Sequence, residues 1–95
     1  MHLEIITPES KIFSGEADAV QFPGIDGLFQ VLNNHAPIIS ALGKGVIKID
    51  LVEPFERTEK SSVLIEEDQN PKTIRVGIKG GVVEMLHNKV IVLAE

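Results

Sequence analysis

In Val46-Ile47-Lys48-Ile49-Asp50-Leu51 apolar and polar side chains alternate, and they do so again in Ile74-Arg75-Val76-Gly77-Ile78-Lys79. A period of two sends Ile47, Ile49 and Leu51 to one side of an extended chain and Lys48 and Asp50 to the other; a helix cannot do this. Leu3 and Ile5 alternate around Glu4 in the same way. β-Branched residues fill these stretches, and their stiff χ1 suits a pleated surface. No apolar stripe of helical period runs for three turns. The chain is therefore expected to be all-β: a sandwich of two antiparallel sheets with about ten short strands.

Turn chemistry divides the strands. Pro8 cannot donate to a ladder and ends the first one. Ser14-Gly15 is expected to separate Lys11-Ile12-Phe13 from the run Ala17 to Phe22, and Pro23-Gly24-Ile25-Asp26-Gly27 reads as a loop with two glycines free to take positive φ. Gly80-Gly81 marks a sharp bend, and Leu86-His87-Asn88-Lys89 a tight hairpin in which Asn88 tolerates the left-handed region. The runs Leu28–Leu32 and Ile38–Leu42 read as two buried strands joined by the polar turn Asn33-Asn34-His35-Ala36-Pro37. Residues 53–73 break the pattern. They carry Pro54, Pro71 and a cluster of charge, with Ser62-Val63-Leu64-Ile65 as one strand-like piece. This excursion is either a solvated hairpin or loop, or a partner-contact arm. The whole, residues 1–95, is expected to be one domain.

Composition removes several function classes. There is no Cys, so no disulfide framework and no thiolate chemistry. The net charge of −5 argues against nucleic acid and against docking on anionic lipid, and four Phe with no Trp or Tyr leave no stacking platform for bases. The longest apolar run, Val90-Ile91-Val92-Leu93-Ala94, is far too short to insert into a bilayer, and Met1-His2-Leu3-Glu4 lacks the start of a signal peptide. The default compartment is the cytoplasm.

The search for reactive groups comes back empty. His2, His35 and His87 lie at no metal-ligand spacing, so no metal is expected. Gly77-Ile78-Lys79-Gly80-Gly81 lacks the length, the Ser or Thr and the helix of a phosphate loop. No serine sits in an elbow motif, and Asp26 has no run of oxygen ligands around it. The Asn33–Pro37 turn is the exception. Asn34 can supply an unusual backbone angle and Pro37 can stiffen the exit, with His35 bonding its own turn; alternatively the rigid turn presents His35 to a partner.

At that turn the chain resembles a known family. Gly24-Ile25-Asp26-Gly27, then Asn34-His35-Ala36-Pro37-Ile38-Ile39-Ser40-Ala41-Leu42 and Gly45-Val46-Ile47-Lys48-Ile49, look like the epsilon subunit of the rotary F-type ATP synthase. The opening Leu3-Glu4-Ile5-Ile6-Thr7-Pro8-Glu9 and the closing Gly80-Gly81-Val82-Val83-Glu84-Met85 and Asn88–Glu95 match the start and end of its first domain, so only residues 53–73 fall outside the likeness. The resemblance implies a ten-stranded sandwich with no catalytic residue and no cofactor. It implies a rotor subunit of the central stalk, a monomer within the proton-translocating complex, which binds the gamma subunit and the c-ring to couple ion flow to ATP synthesis. Its place would be the cytoplasmic face of a bacterial inner membrane. By position, Thr7, Asn34, His35, Ala36 and Pro37 would face gamma, and the loop Asp26-Gly27-Leu28 would face the c-ring. Many relatives carry an acid where this chain has Leu28, and many continue into a C-terminal helical hairpin, which would begin where the sequence stops at Glu95. A carrier domain of the biotinyl or lipoyl type is the alternative reading of a small all-β chain; it needs a lysine at a hairpin tip, and Lys89 follows the Leu86–Asn88 turn but lacks the flanking Met or Asp-and-Ala pattern.

Overall fold

The structure, a computed structural model, describes residues 1–95. It contains nine strands and no helix: β1 (His2–Ile6), β2 (Lys11–Gly24), β3 (Gly27–Leu32), β4 (Ile38–Leu42), β5 (Gly45–Leu51), β6 (Ile65–Glu67), β7 (Thr73–Ile78), β8 (Gly81–Leu86) and β9 (Lys89–Ala94). The all-β expectation holds, and the alternating runs lie where their pattern put them. Ile47, Ile49, Ile74 and Val76 have no exposed surface at all, while Lys48 and Arg75 between them reach outward.

The sandwich is organised around β2, a strand of fourteen residues that serves both layers. Its first half pairs with β1, and β1, β9, β8 and β4 follow edge to edge until β4 meets the far end of β2 at Gly24 and Leu42. Its second half lies between β3 and β5, and β7 and β6 complete that layer. A cluster of 21 buried residues fills the space between, with Phe22, Leu3, Ile5, Ile47, Ile49 and Met85 as the largest side chains wholly enclosed.

Three expectations need correction. Ser14-Gly15 does not break the chain; both residues stay in β2, and the strands number nine, in keeping with the expected count of about ten. A Cβ at Gly15 would come within 2.8 Å of the tip of the Phe13 ring, which would have to shift to admit a larger residue. The sheets are not wholly antiparallel either: β1 and β9 run parallel, from His2 beside Lys89 to Ile6 beside Leu93. This pairing joins the two ends of the chain and so leaves no local signal. Finally, β3 and β4 are not buried strands. Only Val31 and Leu42 in them are enclosed, and Leu28, Leu32 and Ile39 face outward.

The turns behave as their residues require. His87 and Asn88 take φ of 51° and 58°, the two left-handed positions of a tight hairpin. Gly81, at φ 151°, enters β8 where a Cβ would meet the Leu93 carbonyl at 2.3 Å, so no larger residue fits. Pro23 and Gly24 belong to β2, which narrows the expected loop to Ile25-Asp26. In the excursion the strand is Ile65–Glu67, and Ser62-Val63-Leu64 form the turn before it.

Candidate partner-docking face

The Asn33–Pro37 turn is braced from several sides. Asn34 has φ 61°, and its backbone N–H donates to Asn88 Oδ1 at 2.7 Å, tying the turn to the β8–β9 hairpin. Asn33 Oδ1 accepts from the Met1 amino group, which also donates to the Ala17 carbonyl at 2.9 Å. His35 donates its backbone N–H to the Leu32 carbonyl, and its Nδ1 lies 2.8 Å from the Ala36 carbonyl. Both readings of the turn are therefore compatible: the histidine bonds its own turn, and Asn34 through Pro37 remain exposed on a rigid support.

What lies next to the turn was not legible in the sequence. Following the ladders outward from β4 through β8 and β9 to β1, one row of outward side chains is Ala41, Val82, Leu93 and Ile6. The next row is Ile39, Glu84, Ile91 and Glu4. Ile39 is 78% exposed and Leu93 59%, and Leu86 continues the surface toward the turn. Folding alone gives no reason for such a surface, because outward positions of a sheet facing water are ordinarily polar. Shallow depressions cross it: one is lined by His35, Pro37 and Leu86, the next by Pro37, Ile39 and Glu84, and another by Thr7, Pro8 and Leu93.

The structure brings the expected contact residues to the borders of this face without bringing them together. Asn34, His35, Ala36 and Pro37 lie at the end where β8 turns into β9. Thr7 lies at the other end, beyond Ile6 and beside Leu93, with its hydroxyl and backbone in a tight turn with Ser10. The loop Asp26-Gly27-Leu28 shares that second end, lining a depression with Ser40 and Ala41 of β4; Ile25 and Leu28 are each 68% exposed. Lys89 is not at a hairpin tip. It is the first residue of β9, paired with Leu86 and His2, while His87 and Asn88 form the tip.

Charged groups border the apolar rows. His2 Nδ1 sits 2.7 Å from Glu16 and its Nε2 3.3 Å from Glu4. The hydrogen bond from His2, with Lys11 and Lys89 nearby, holds the Glu4 carboxyl below the usual glutamate range. No set of three His, Cys, Asp or Glu side chains converges in a way that could hold a metal ion.

The family model described as ATP synthase, Delta/Epsilon chain, beta-sandwich domain matches residues 1–58. The chain belongs to this family. An epsilon chain of ATP synthase from Chlorobaculum tepidum is 38% identical over 93 residues, which cover 98% of this chain and 86% of that one. Those of Chlorobium limicola and Campylobacter curvus are each 36% identical, the latter over 95 residues that are 60% of its length. The epsilon family supplies a structural and regulatory subunit of ATP synthase rather than a catalytic one. Two solved structures share the fold at low identity. A chain of the Tetrahymena thermophila mitochondrial ATP synthase central stalk and c-ring aligns with a TM-score of 0.68 and 15% identity, over 99% of this chain and 62% of that one. A chain of the Euglena gracilis mitochondrial ATP synthase aligns with a TM-score of 0.70 and 17% identity, over 97% and 48%.

Proposed function

We propose that this epsilon-family chain is a central-stalk coupling subunit that binds gamma through the outer face of β4, β8, β9 and β1, and the c-ring through the Asp26-Gly27-Leu28 loop. The observation that carries this reading is the exposed apolar surface bounded by Asn34–Pro37 at one end and Thr7 at the other. A partner lying along it would touch both groups at once. Burying Ile39, Leu86 and Leu93 would supply the affinity, since apolar area removed from water contributes roughly 25 cal/mol per Å² before the costs of association are subtracted. The polar turn would set the register. Glu84, the one carboxylate between Ile39 and Ile91, calls for a cation opposite it.

At the other end Ile25 and Leu28 would meet the c-ring by apolar contact. In this reading the chain is a monomer within the complex, works on the cytoplasmic side of a bacterial inner membrane, and transmits force without performing chemistry. Its domain is the whole of residues 1–95, with 53–73 as an appendage. The test is co-purification with gamma from cells making both chains. Wild type is expected to bring gamma down in stoichiometric amount, and Ile39→Asp to lose it while keeping the β-sheet circular-dichroism spectrum. A wild-type chain that folds and leaves gamma behind overturns the reading.

A further inference from the structure

Residues 53–73 lie outside that face, on the free edge of the opposing layer, and they are ordered by a hub. Arg57 Nε donates to Glu67 Oε2 at 2.8 Å, its Nη1 to the Ser62 carbonyl at 3.2 Å and its Nη2 to the Ile65 carbonyl. The same guanidinium stacks 5.6 Å above the Phe55 ring, and Phe55 packs on the core. The root is clamped by Phe55 N–H donating to the Pro71 carbonyl at 2.8 Å and Leu51 N–H to the Lys72 carbonyl at 2.7 Å. This arm presents a turn, Ser62 to Ile65, closed by the Ile65 N–H on the Ser62 carbonyl at 3.2 Å and by the Leu64 N–H on Ser62 Oγ at 3.1 Å.

The two residues at its tip are Val63, 91% exposed, and Leu64, 51% exposed. Ser62 supplies the hydroxyl that closes the turn, whereas Val63 and Leu64 at its centre contribute neither to the core nor to the turn's hydrogen bonds. The surroundings are acidic. Arg57 neutralises Glu67 and Arg75 neutralises Asp68, which leaves Glu53, Glu56, Glu59 and Glu66 against Lys60 and Lys72.

We propose that the Arg57-braced arm is a second docking element, which inserts Val63-Leu64 into an apolar pocket rimmed by lysine or arginine on a neighbouring protein of the assembled complex. Charge complementarity selects such a rim, and the brace fixes the tip before binding, so little ordering entropy is lost on contact. The proposal rests on the chain acting inside the assembled enzyme, as in the function proposed above, but it concerns a different face and a different partner surface.

The test places the photo-crosslinker p-benzoylphenylalanine at Val63, and separately at Ile39 and at exposed Asp18, in the intact complex. Cross-linked peptides are read by mass spectrometry. The Val63 probe is expected to label one site flanked by Lys or Arg on another subunit. That yield should fall about tenfold with Arg57→Ala, which frees the arm, and several-fold with Glu59→Lys/Glu66→Lys or in high salt. A Val63 yield no higher than that at Asp18, while Ile39 still labels gamma, overturns the arm and spares the stalk reading. Loss of labelling at both Val63 and Ile39 overturns both. Labelling of lipid, of a second copy of this chain, or of a site without basic residues also overturns the arm.

Discussion

On the outside of β4, β8, β9 and β1 the side chains include Ile6, Ile39, Ala41, Val82, Leu86, Ile91 and Leu93, with Glu84 and Glu4 among them. On the outside of the other layer, the middle of β2, β5, β7 and β6 holds Gln21, Lys48, Arg75 and Glu66, followed by Asp50 and Thr73, which are hydrogen-bonded at 3.2 Å, while Val46, Leu28 and Leu32 are the apolar residues exposed toward its margins in β5 and β3. Both faces come from the same alternation, and both leave the shared core equally covered. Water is sufficient cover for the polar positions. The apolar face stays exposed to water unless something covers it, so its composition reports on a partner rather than on folding.

Four sets of substitutions break or sharpen that contrast. The largest effect is expected from Ile39→Asp with Leu93→Asp: association with gamma should fall at least a hundredfold, about 3 kcal/mol or more by the usual conversion. Lys48→Asp on the polar face should leave association unchanged. Equal losses from the two, measured by calorimetric titration, would erase the distinction. Next, Ile49→Ala and Val76→Ala remove side chains that both faces rest on, and each should lower stability by roughly 1–4 kcal/mol in urea denaturation.

His35→Ala is smaller. It should cost less than about 1 kcal/mol of stability, because the turn keeps its Asn34–Asn88 brace, while weakening association with gamma measurably. The smallest effect belongs to Asp68, whose carboxyl the Arg75 hydrogen bond holds below its ordinary value of 3.8. A depressed carboxyl contributes stability that is present above the ordinary value and lost as pH falls through the lower folded one. Asp68→Asn should therefore lower stability slightly at neutral pH, and the deficit should close as pH falls below the ordinary value of 3.8, which flattens the acid limb of the stability curve.

The strands that carry clean alternation were legible because one residue in two had to be apolar to reach a common core. Ile47, Ile49, Leu51, Ile74, Val76 and Ile78 all fall there. The hairpin at Asn88 and the bend at Gly81 were legible because only such residues tolerate those angles. Three things were not. Ser14-Gly15 carries turn residues, yet the ladder with β1 overrides them. Leu28, Leu32 and Ile39 read as core because a hydrophobic strand looks the same whether it is covered by its own chain or by another. Arg57 looked like one charge in a charged loop; only the folded arm makes it a hub. Of the candidate site, the Asn34–Pro37 turn could be read from its residue types, whereas the apolar rows beside it require the pairing of four strands distant in sequence.

The strand β2 belongs to both layers and carries the chain from one to the other through a register shift between Ala17 and Ala19 in its pairing with β5, so the two layers share one continuous backbone. A push delivered at one end of the molecule, near Asp26, would pass along this one strand, through the bend at Ala17–Ala19, toward the end where Lys11 and β1 lie. In hydrogen exchange this makes the two layers one opening unit: amides of Val20 and Phe22 in β2 should share their slowest exchange rate with those of Ile5 in β1 and Ile49 in β5.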